Sequence, residues 1–135
     1  MMRLPAFKYL APHSVAETVL MLSSEGPGAS VVAGGTDLYP NMKRRHQVPK
    51  TVVSLRRVAD LRGVHAAGDG SCRIGADTTL MTLERDARLR AERPALWAAV
   101  RSISTPILRT MGTLGGNVLL DTRCNYYDQN LEWRR

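Results

Sequence analysis

The stretch "VVAGGTDLYP", residues 31–40, decides how this chain folds. It runs from two β-branched residues into Gly34 and Gly35, then through Thr36 and Asp37 into a new apolar segment. β-Branched residues followed by glycine are typical of a buried strand that ends in a tight turn. Thr36 and Asp37 are residue types that begin helices, and we expect Asp37 to act as a cap. The stretch therefore predicts a strand, a turn and a helix.

Length and composition limit the kinds of protein this chain can be. It has 135 residues, enough for one domain with a hydrophobic core or for part of a larger one. The formal net charge of +7 would suit nucleic acid, but the basic residues are scattered and carry no interleaved aromatics, so we expect no nucleic-acid partner. No apolar run reaches the roughly 18 to 20 residues of a membrane span. Since no signal pattern begins the chain, we expect a cytoplasmic protein.

The candidate metal ligands are few and dispersed. Only two cysteines are present, Cys72 and Cys124, too unlike in their surroundings to predict a disulfide framework. Cys72 alternates within a strand pattern and is expected to be a small buried residue. His13, His46 and His65 have no carboxylate or cysteine at ligand spacing, which favours surface or structural roles.

Hydrophobic periodicity and turn residues predict alternating helices and strands. Ser14 and Glu17 form a capping box that begins a helix, and Val15, Val19 and Leu22 follow at helical spacing. Further along the chain the patterns predict a strand within 29–35, a strand at 51–55, a hairpin from 64–67 and 72–75, and helical structure over 78–103 with a break at Pro94. In that last segment Leu80, Leu83, Leu96, Val100 and Ile103 are expected to face a core. This alternation predicts an α/β or α+β fold.

A second glycine-rich stretch, "STPILRTMGTLGGNVLLDTR" at residues 104–123, follows the helical segment. Thr113, Gly115, Gly116 and Asn117 lie there between apolar residues. Backbone amides in glycine turns can converge on an anion. Two such turns suggest a two-phosphate ligand held by amides from both sides, whereas a tight turn without a ligand is the alternative at each one.

These stretches in this order resemble the FAD-binding subunit of the molybdenum hydroxylases, the family that contains xanthine dehydrogenase and carbon monoxide dehydrogenase. The resemblance rests on two motifs, "AGGTDL" and "R-x-x-GTLGGN". The resemblance implies two α/β subdomains, about 1–55 and about 56–135, with FAD between them. It also implies that the first loop holds the pyrophosphate through main-chain amides, that the second completes the flavin site, and that Ile103 lies near the ring. The implied cofactor-binding residues are Val31, Val32, Ala33, Gly34, Gly35, Thr36, Asp37, Leu38, Ile103, Thr113, Leu114, Gly115, Gly116 and Asn117.

The resemblance also implies a role and partners. Such a subunit transfers electrons through FAD, holds no catalytic residue for the substrate, and assembles with a large subunit that carries the molybdenum cofactor and a small [2Fe-2S] subunit. The chain would be the N-terminal portion of this subunit and would not act alone. A non-redox nucleotide- or phosphate-binding module is the alternative, because paired glycine turns would serve it equally well.

The end of the sequence, "VLLDTRCNYYDQNLEWRR", departs from the commonest family pattern, since Tyr126 stands where many members carry a flavin-holding aspartate. It resembles the branch of 4-hydroxybenzoyl-CoA reductase, in which an insertion binds an additional [4Fe-4S] cluster. This resemblance implies an aromatic acyl-CoA substrate for the complex and makes Cys124 the first metal ligand. Tyr126 and Tyr127 are expected to pack within that insertion.

Overall fold

A three-stranded parallel sheet organises the first part of the chain. The computed structural model describes residues 3–120 and residue 132. The strands are β1 (Lys8–Leu10), β2 (Ala29–Val32) and β3 (Thr51–Ser54), and β3 lies between the other two. Val52 at its centre is opposite Tyr9 on one side and Ser30 on the other. All four residues of β3 are buried, including the polar Thr51 and Ser54 at its two ends, as expected for the central strand of a parallel sheet. The predictions for β2 and β3 are confirmed, whereas β1 was not predicted.

Helix α1 (Val15–Glu25) packs against β2 and β3. The predicted cap is confirmed, because the Ser14 hydroxyl accepts a hydrogen bond from the backbone N–H of Glu17 at 3.1 Å. The apolar residues that predicted the helix do not all face the sheet. Val19 is 59 % exposed, whereas Thr18 is buried and donates its hydroxyl proton to the carbonyl of Ser14.

The turn after β2 leads into a short helix, α2 (Leu38–Lys43), as the sequence predicts. Met42 from this helix is fully buried against Val32 and Val52 of the sheet. These three side chains form the first core, which Phe7, Leu38 and Tyr39 cover. Because Val32 precedes this turn and Met42 follows it, packing in the first core holds both ends of the turn in place.

A hairpin and five helices form the second part of the chain as far as residue 120. The predicted hairpin is confirmed, with β4 (Val64–Ala66) antiparallel to β5 (Cys72–Ile74). The predicted helical segment breaks at Asp86 as well as at Pro94, because the Asp86 carboxylate accepts from two backbone N–H groups and begins a new helix. The helices are α3 (Leu80–Arg85), α4 (Ala87–Glu92), α5 (Pro94–Ser102), α6 (Pro106–Arg109) and α7 (Leu114–Val118).

These helices enclose a second core of Leu80, Leu83, Leu89 and Val100, against which Leu96 and Ile103 pack. The apolar residues predicted to face a core do so, and the mixed helix and strand fold is confirmed. The two cores lie on opposite sides of residue 55 in the sequence. The boundary between two subdomains near that residue stays a prediction that the separate cores support.

The two parts meet at a contact between Gly34 and Met111, which we call the seam. A Cβ atom at Gly34 would lie 1.8 Å from the Met111 carbonyl oxygen, so only glycine permits this approach. Gly112 continues the contact toward Thr36. The seam brings the first glycine turn beside the second glycine stretch. Within residues 3–120, no helix is long and apolar enough to cross a membrane.

Candidate functional site

A cavity of about 590 Å³ lies at the seam, between the turn after β2 and the helices of the second part. Cavities of this size hold small-molecule ligands and cofactors. Every cofactor-binding residue that the sequence predicted lines it except Leu114, whose side chain packs against the second core. The further lining residues, which the sequence did not predict, are Ser30, Gln47, Leu55, Ala76, Leu80, Ser104, Leu108, Gly112, Leu119 and Leu120.

Unpaired backbone donors distinguish the first wall of the cavity. No acceptor within the described residues takes a hydrogen bond from the N–H groups of Gly34, Gly35 and Thr36. Three successive backbone N–H groups that line a cavity and have no acceptor in the protein are available to a bound acceptor. The lining of the cavity in this part of the chain includes no lysine or arginine. Main-chain donors would therefore be the groups that hold an anion here.

The conformation of this turn depends on Gly35. Its φ of +74° lies in the left-handed region that glycine adopts without strain. A Cβ atom there would also lie 2.5 Å from the ring of Tyr39. Burial raises the pKa of the Tyr39 hydroxyl above its usual value, with a smaller contribution from nearby Tyr9. Tyr39 is therefore a neutral packing residue that supports the turn at physiological pH.

Asp37 does not cap α2 through its side chain, which corrects the sequence prediction. It occupies the position before the first helical residue, but its carboxylate makes no capping hydrogen bond to the backbone. Instead Oδ2 accepts from the Asn41 side-chain amide at 3.1 Å, one turn along the helix. Its φ of −105° and ψ of −54° are helical rather than extended, and a capping side chain needs the extended geometry.

The second glycine pair lies in the first turn of α7 and not in an open loop. Thr113 caps this helix, since its hydroxyl accepts from the N–H of Gly116 at 3.2 Å. Gly115 donates to the Ala76 carbonyl at 2.8 Å, and Leu114 donates to the Thr78 carbonyl at 2.9 Å. The N–H groups of Leu114, Gly115 and Gly116 thus already have acceptors within the protein. The expectation that amides from both glycine stretches hold one pyrophosphate stays a prediction.

Close packing explains Gly115, whereas Gly116 has more space. A Cβ atom on Gly115 would lie 2.8 Å from the Cβ atom of Ala76. A Cβ atom on Gly116 would lie 3.1 Å from the Thr113 hydroxyl oxygen. The second glycine pair therefore keeps side chains out of the cavity wall.

Several lining residues carried no sequence signal that pointed to a site. Leu119 is 84 % exposed and Leu120 is 44 % exposed beside the cavity, and a sequence pattern does not distinguish such leucines from core residues. Ser104 has a φ of +53°, which is uncommon for a residue other than glycine. Only the backbone geometry identifies this position, since serine has no sequence preference that predicts it.

The described residues contain no group of His, Cys, Asp and Glu that could hold a metal ion. Cys72 is a free thiol, half-buried, that packs against the second core as the sequence predicted. His13, His46 and His65 are exposed. Cys124, Tyr126 and Tyr127 lie outside the described residues.

Residues 5–127 match the model of one protein family, described as the FAD binding domain in molybdopterin dehydrogenase. The chain belongs to this family. The match confirms the resemblance that the glycine motifs indicated. The cavity offers three free amide donors at one wall and the exposed Leu119 and Leu120 at another part of its lining.

Relatives of this FAD-binding domain are subunits of oxidoreductases. The chain is 37 % identical over 114 residues to the carbon monoxide dehydrogenase medium chain of Hydrogenophaga pseudoflava, covering 84 % of this chain and 39 % of that one. It is 35 % identical to the xanthine dehydrogenase FAD-binding subunit of Escherichia coli O157:H7, over 83 % of this chain and 39 % of the relative.

Solved structures give the same result for the fold. A structure of carbon monoxide dehydrogenase from Hydrogenophaga pseudoflava, which lacks the Mo-pyranopterin moiety of the molybdenum cofactor, superposes with a TM-score of 0.83 at 37 % identity, covering 87 % of this chain and 40 % of that one. Quinoline 2-oxidoreductase from Pseudomonas putida 86 superposes with a TM-score of 0.79 at 32 % identity, covering 85 % and 40 %. The chain thus spans about two fifths of the length of the relatives it matches.

Proposed function

We propose that this chain forms the pyrophosphate-binding part of an FAD-binding electron-transfer subunit in a molybdenum-dependent hydroxylase or reductase. The observation that carries the proposal is the run of three unpaired backbone N–H groups, on Gly34, Gly35 and Thr36, at the wall of the cavity. A phosphate oxygen accepts readily from such donors, and each bond to a charged group contributes more than a neutral one. Family membership supports FAD as the ligand.

The residues of this chain would bind and orient FAD and would exclude water from it. The turn at Gly34–Gly35 donates to the phosphates, while Gly115 and Gly116 keep the opposite wall free of side chains. Leu119 and Leu120 supply apolar surface that an aromatic ring would cover. When bound, FAD supplies stepwise acceptance and release of electrons, and the protein supplies its position and electrostatic surroundings.

The partners belong to the same proposal. We expect a large subunit with the molybdenum cofactor and a small [2Fe-2S] subunit, since relatives are named as medium chains or FAD-binding subunits of such dehydrogenases. The finer assignment rests on the sequence alone. An aromatic acyl-CoA substrate and an additional [4Fe-4S] cluster with Cys124 as a ligand are proposed from the resemblance to 4-hydroxybenzoyl-CoA reductase.

The test compares two leucine substitutions in the complete subunit. Gly116→Leu adds a side chain at the cavity wall, where its Cβ atom would lie beside the Thr113 hydroxyl oxygen. Gly68→Leu adds the same side chain in the hairpin turn, with no atom within 4 Å of its Cβ. We expect purified wild-type protein to show the visible absorbance of flavin. FAD affinity should fall about tenfold to 100-fold in Gly116→Leu, because a side chain forced into occupied space typically costs about 1 to 3 kcal/mol, and should stay unchanged in Gly68→Leu.

A subunit that binds ADP or inorganic pyrophosphate but never FAD would contradict the redox role and favour the non-redox phosphate-binding module. Equal FAD affinity in the two leucine variants would show that FAD does not bind in this cavity. The iron content of the complete subunit tests the finer assignment separately, since Cys124→Ala should lower it only if the additional cluster is present.

A further inference from the structure

Arg109 is a buried cation in the second part of the chain, beside the cavity but not in its lining. Its side chain is only 7 % exposed. Nε donates to Glu84 Oε2 at 2.8 Å, and Nη1 donates to the carbonyl oxygens of Arg101, Ile103 and Ser104 at 3.1, 2.9 and 3.2 Å. A single guanidinium thus joins α3 to the turn between α5 and α6.

The carboxylate of Glu84 offsets the cost of burying this cation, and the Glu84 backbone is itself held in place. A buried guanidinium without a partner is strongly destabilising, so Arg109 depends on Glu84. The backbone carbonyl of Glu84 accepts from the indole N–H of Trp97 at 2.9 Å. Arg101 approaches the other oxygen of Glu84 at 3.7 Å but is 54 % exposed, and its guanidinium stacks on the Trp97 ring. The strong pair is therefore Arg109 with Glu84.

The turn that receives these hydrogen bonds forms part of the cavity wall. Ile103 and Ser104 both line the cavity, and Ile103 also packs against the second core. Ser104 has a φ of +53°, a conformation that costs free energy for any residue with a Cβ atom. Such a conformation persists only where surrounding contacts impose it. The contacts from Arg109 to the carbonyl oxygens of residues 101, 103 and 104 are of this kind.

We propose that Arg109 is a positioning residue for the cofactor, which holds the Ile103–Ser104 turn in the shape that the flavin cavity requires. The inference rests on the proposed function and extends it to a residue that does not line the cavity. Lysine cannot replace arginine in this role, because one ammonium group cannot reach the carboxylate and three carbonyl oxygens in the fixed fork geometry of a guanidinium.

The experiment uses the complete subunit and measures FAD affinity together with the visible circular dichroism of bound flavin. Arg109→Lys should raise the Kd for FAD about tenfold or more, since hydrogen bonds to a charged group are lost. At saturating FAD its dichroism bands should differ from wild type, because the wall beside the flavin has moved. The control Arg101→Gln removes an exposed cation near the same carboxylate, and its Kd should stay within about twofold of wild type.

A rescue variant separates positioning from general stability. Glycine adopts the φ of residue 104 without strain, so Arg109→Lys with Ser104→Gly should recover part of the lost FAD affinity. No recovery would overturn the proposal. If Arg109→Lys does not fold, Glu84→Gln decides: the uncharged amide is a weaker acceptor for the buried guanidinium, so Arg109 should hold the turn less firmly and the Kd for FAD should rise as well.

Two different failures are distinguishable. A wild-type subunit that binds no FAD would overturn the proposed function. Wild-type binding of FAD, with the same Kd and dichroism in Arg109→Lys or in the deciding Glu84→Gln variant, would overturn the role of Arg109 alone.

Discussion

Gly34 and Gly35 follow a strand and precede a short helix, whereas Gly115 and Gly116 lie inside the first turn of α7. The N–H groups of the first pair have no acceptor in the described part of the chain, and those of the second pair donate to the Ala76 carbonyl and to the Thr113 hydroxyl. Both pairs line the same cavity. The first pair can therefore bind an anion through its main chain, and the second can only shape a wall.

This difference shows that the sequence of a glycine pair does not reveal whether the pair can bind an anion or only shapes a cavity wall. In each pair one glycine is required by close packing against the protein, Gly34 at Met111 and Gly115 at Ala76. What separates the pairs is whether the neighbouring chain supplies hydrogen-bond acceptors. A threonine before the second pair supplies one, and the β2 turn has none.

The largest expected effect concerns the seam. Gly34→Ala places a Cβ atom 1.8 Å from a backbone oxygen that cannot move aside, so we expect a loss of about 3 kcal/mol or more in the free energy of unfolding. Gly28→Ala is the matched control, because its Cβ would meet only the Lys50 side chain at an ordinary 3.6 Å. Urea unfolding of both variants in the complete subunit measures the difference. Equal stability would show that the seam is not closely packed.

A second prediction separates the two glycine pairs by ligand. Gly35→Val should lose binding of both FAD and inorganic pyrophosphate, because valine disfavours the φ of +74° by about 1 to 2 kcal/mol and collides with Tyr39. Gly116→Leu should lose FAD binding and retain pyrophosphate, since its amide is already bonded to Thr113. Flavin fluorescence measures FAD binding in each variant, and calorimetric titration with inorganic pyrophosphate measures pyrophosphate binding directly. Loss of pyrophosphate binding in Gly116→Leu would contradict the proposal that only the first glycine pair binds the phosphates.

The smallest effect is expected at the cap of α7. Thr113→Ala removes the acceptor for the Gly116 N–H and should cost about 1 kcal/mol, as N-cap losses typically do. Thr79→Ala is the control, since Thr79 caps α3 in the same way but does not line the cavity at the seam. Thermal unfolding should show similar losses for both. Only Thr113→Ala should alter FAD affinity, and an equal effect from Thr79→Ala would mean that the cap acts through global stability.

Local patterns in the sequence predicted most of the elements. The Ser14 cap and the hairpin around residues 68–70 depend on contacts between residues close in the chain, so they could be predicted without tertiary information. Strands β2 and β3 could be predicted from their β-branched residues and the turn residues that flank them. The break at Asp86 was missed although aspartate is a good cap, because the flanking apolar period continues through it. Strand β1 was missed because three residues carry too little pattern.

The sequence by itself determined a mixed fold, two glycine stretches and, by resemblance, a family whose model matches residues 5–127. Only the tertiary structure decided which amides are free, that Gly34 is required by Met111, and that Arg109 reaches the carbonyls of residues 101, 103 and 104. The physical reason is that a hydrogen-bond acceptor or a steric neighbour comes from wherever the fold places it. The carbonyl that occupies the Gly115 amide belongs to Ala76, far away in sequence, and no local pattern could predict that bond.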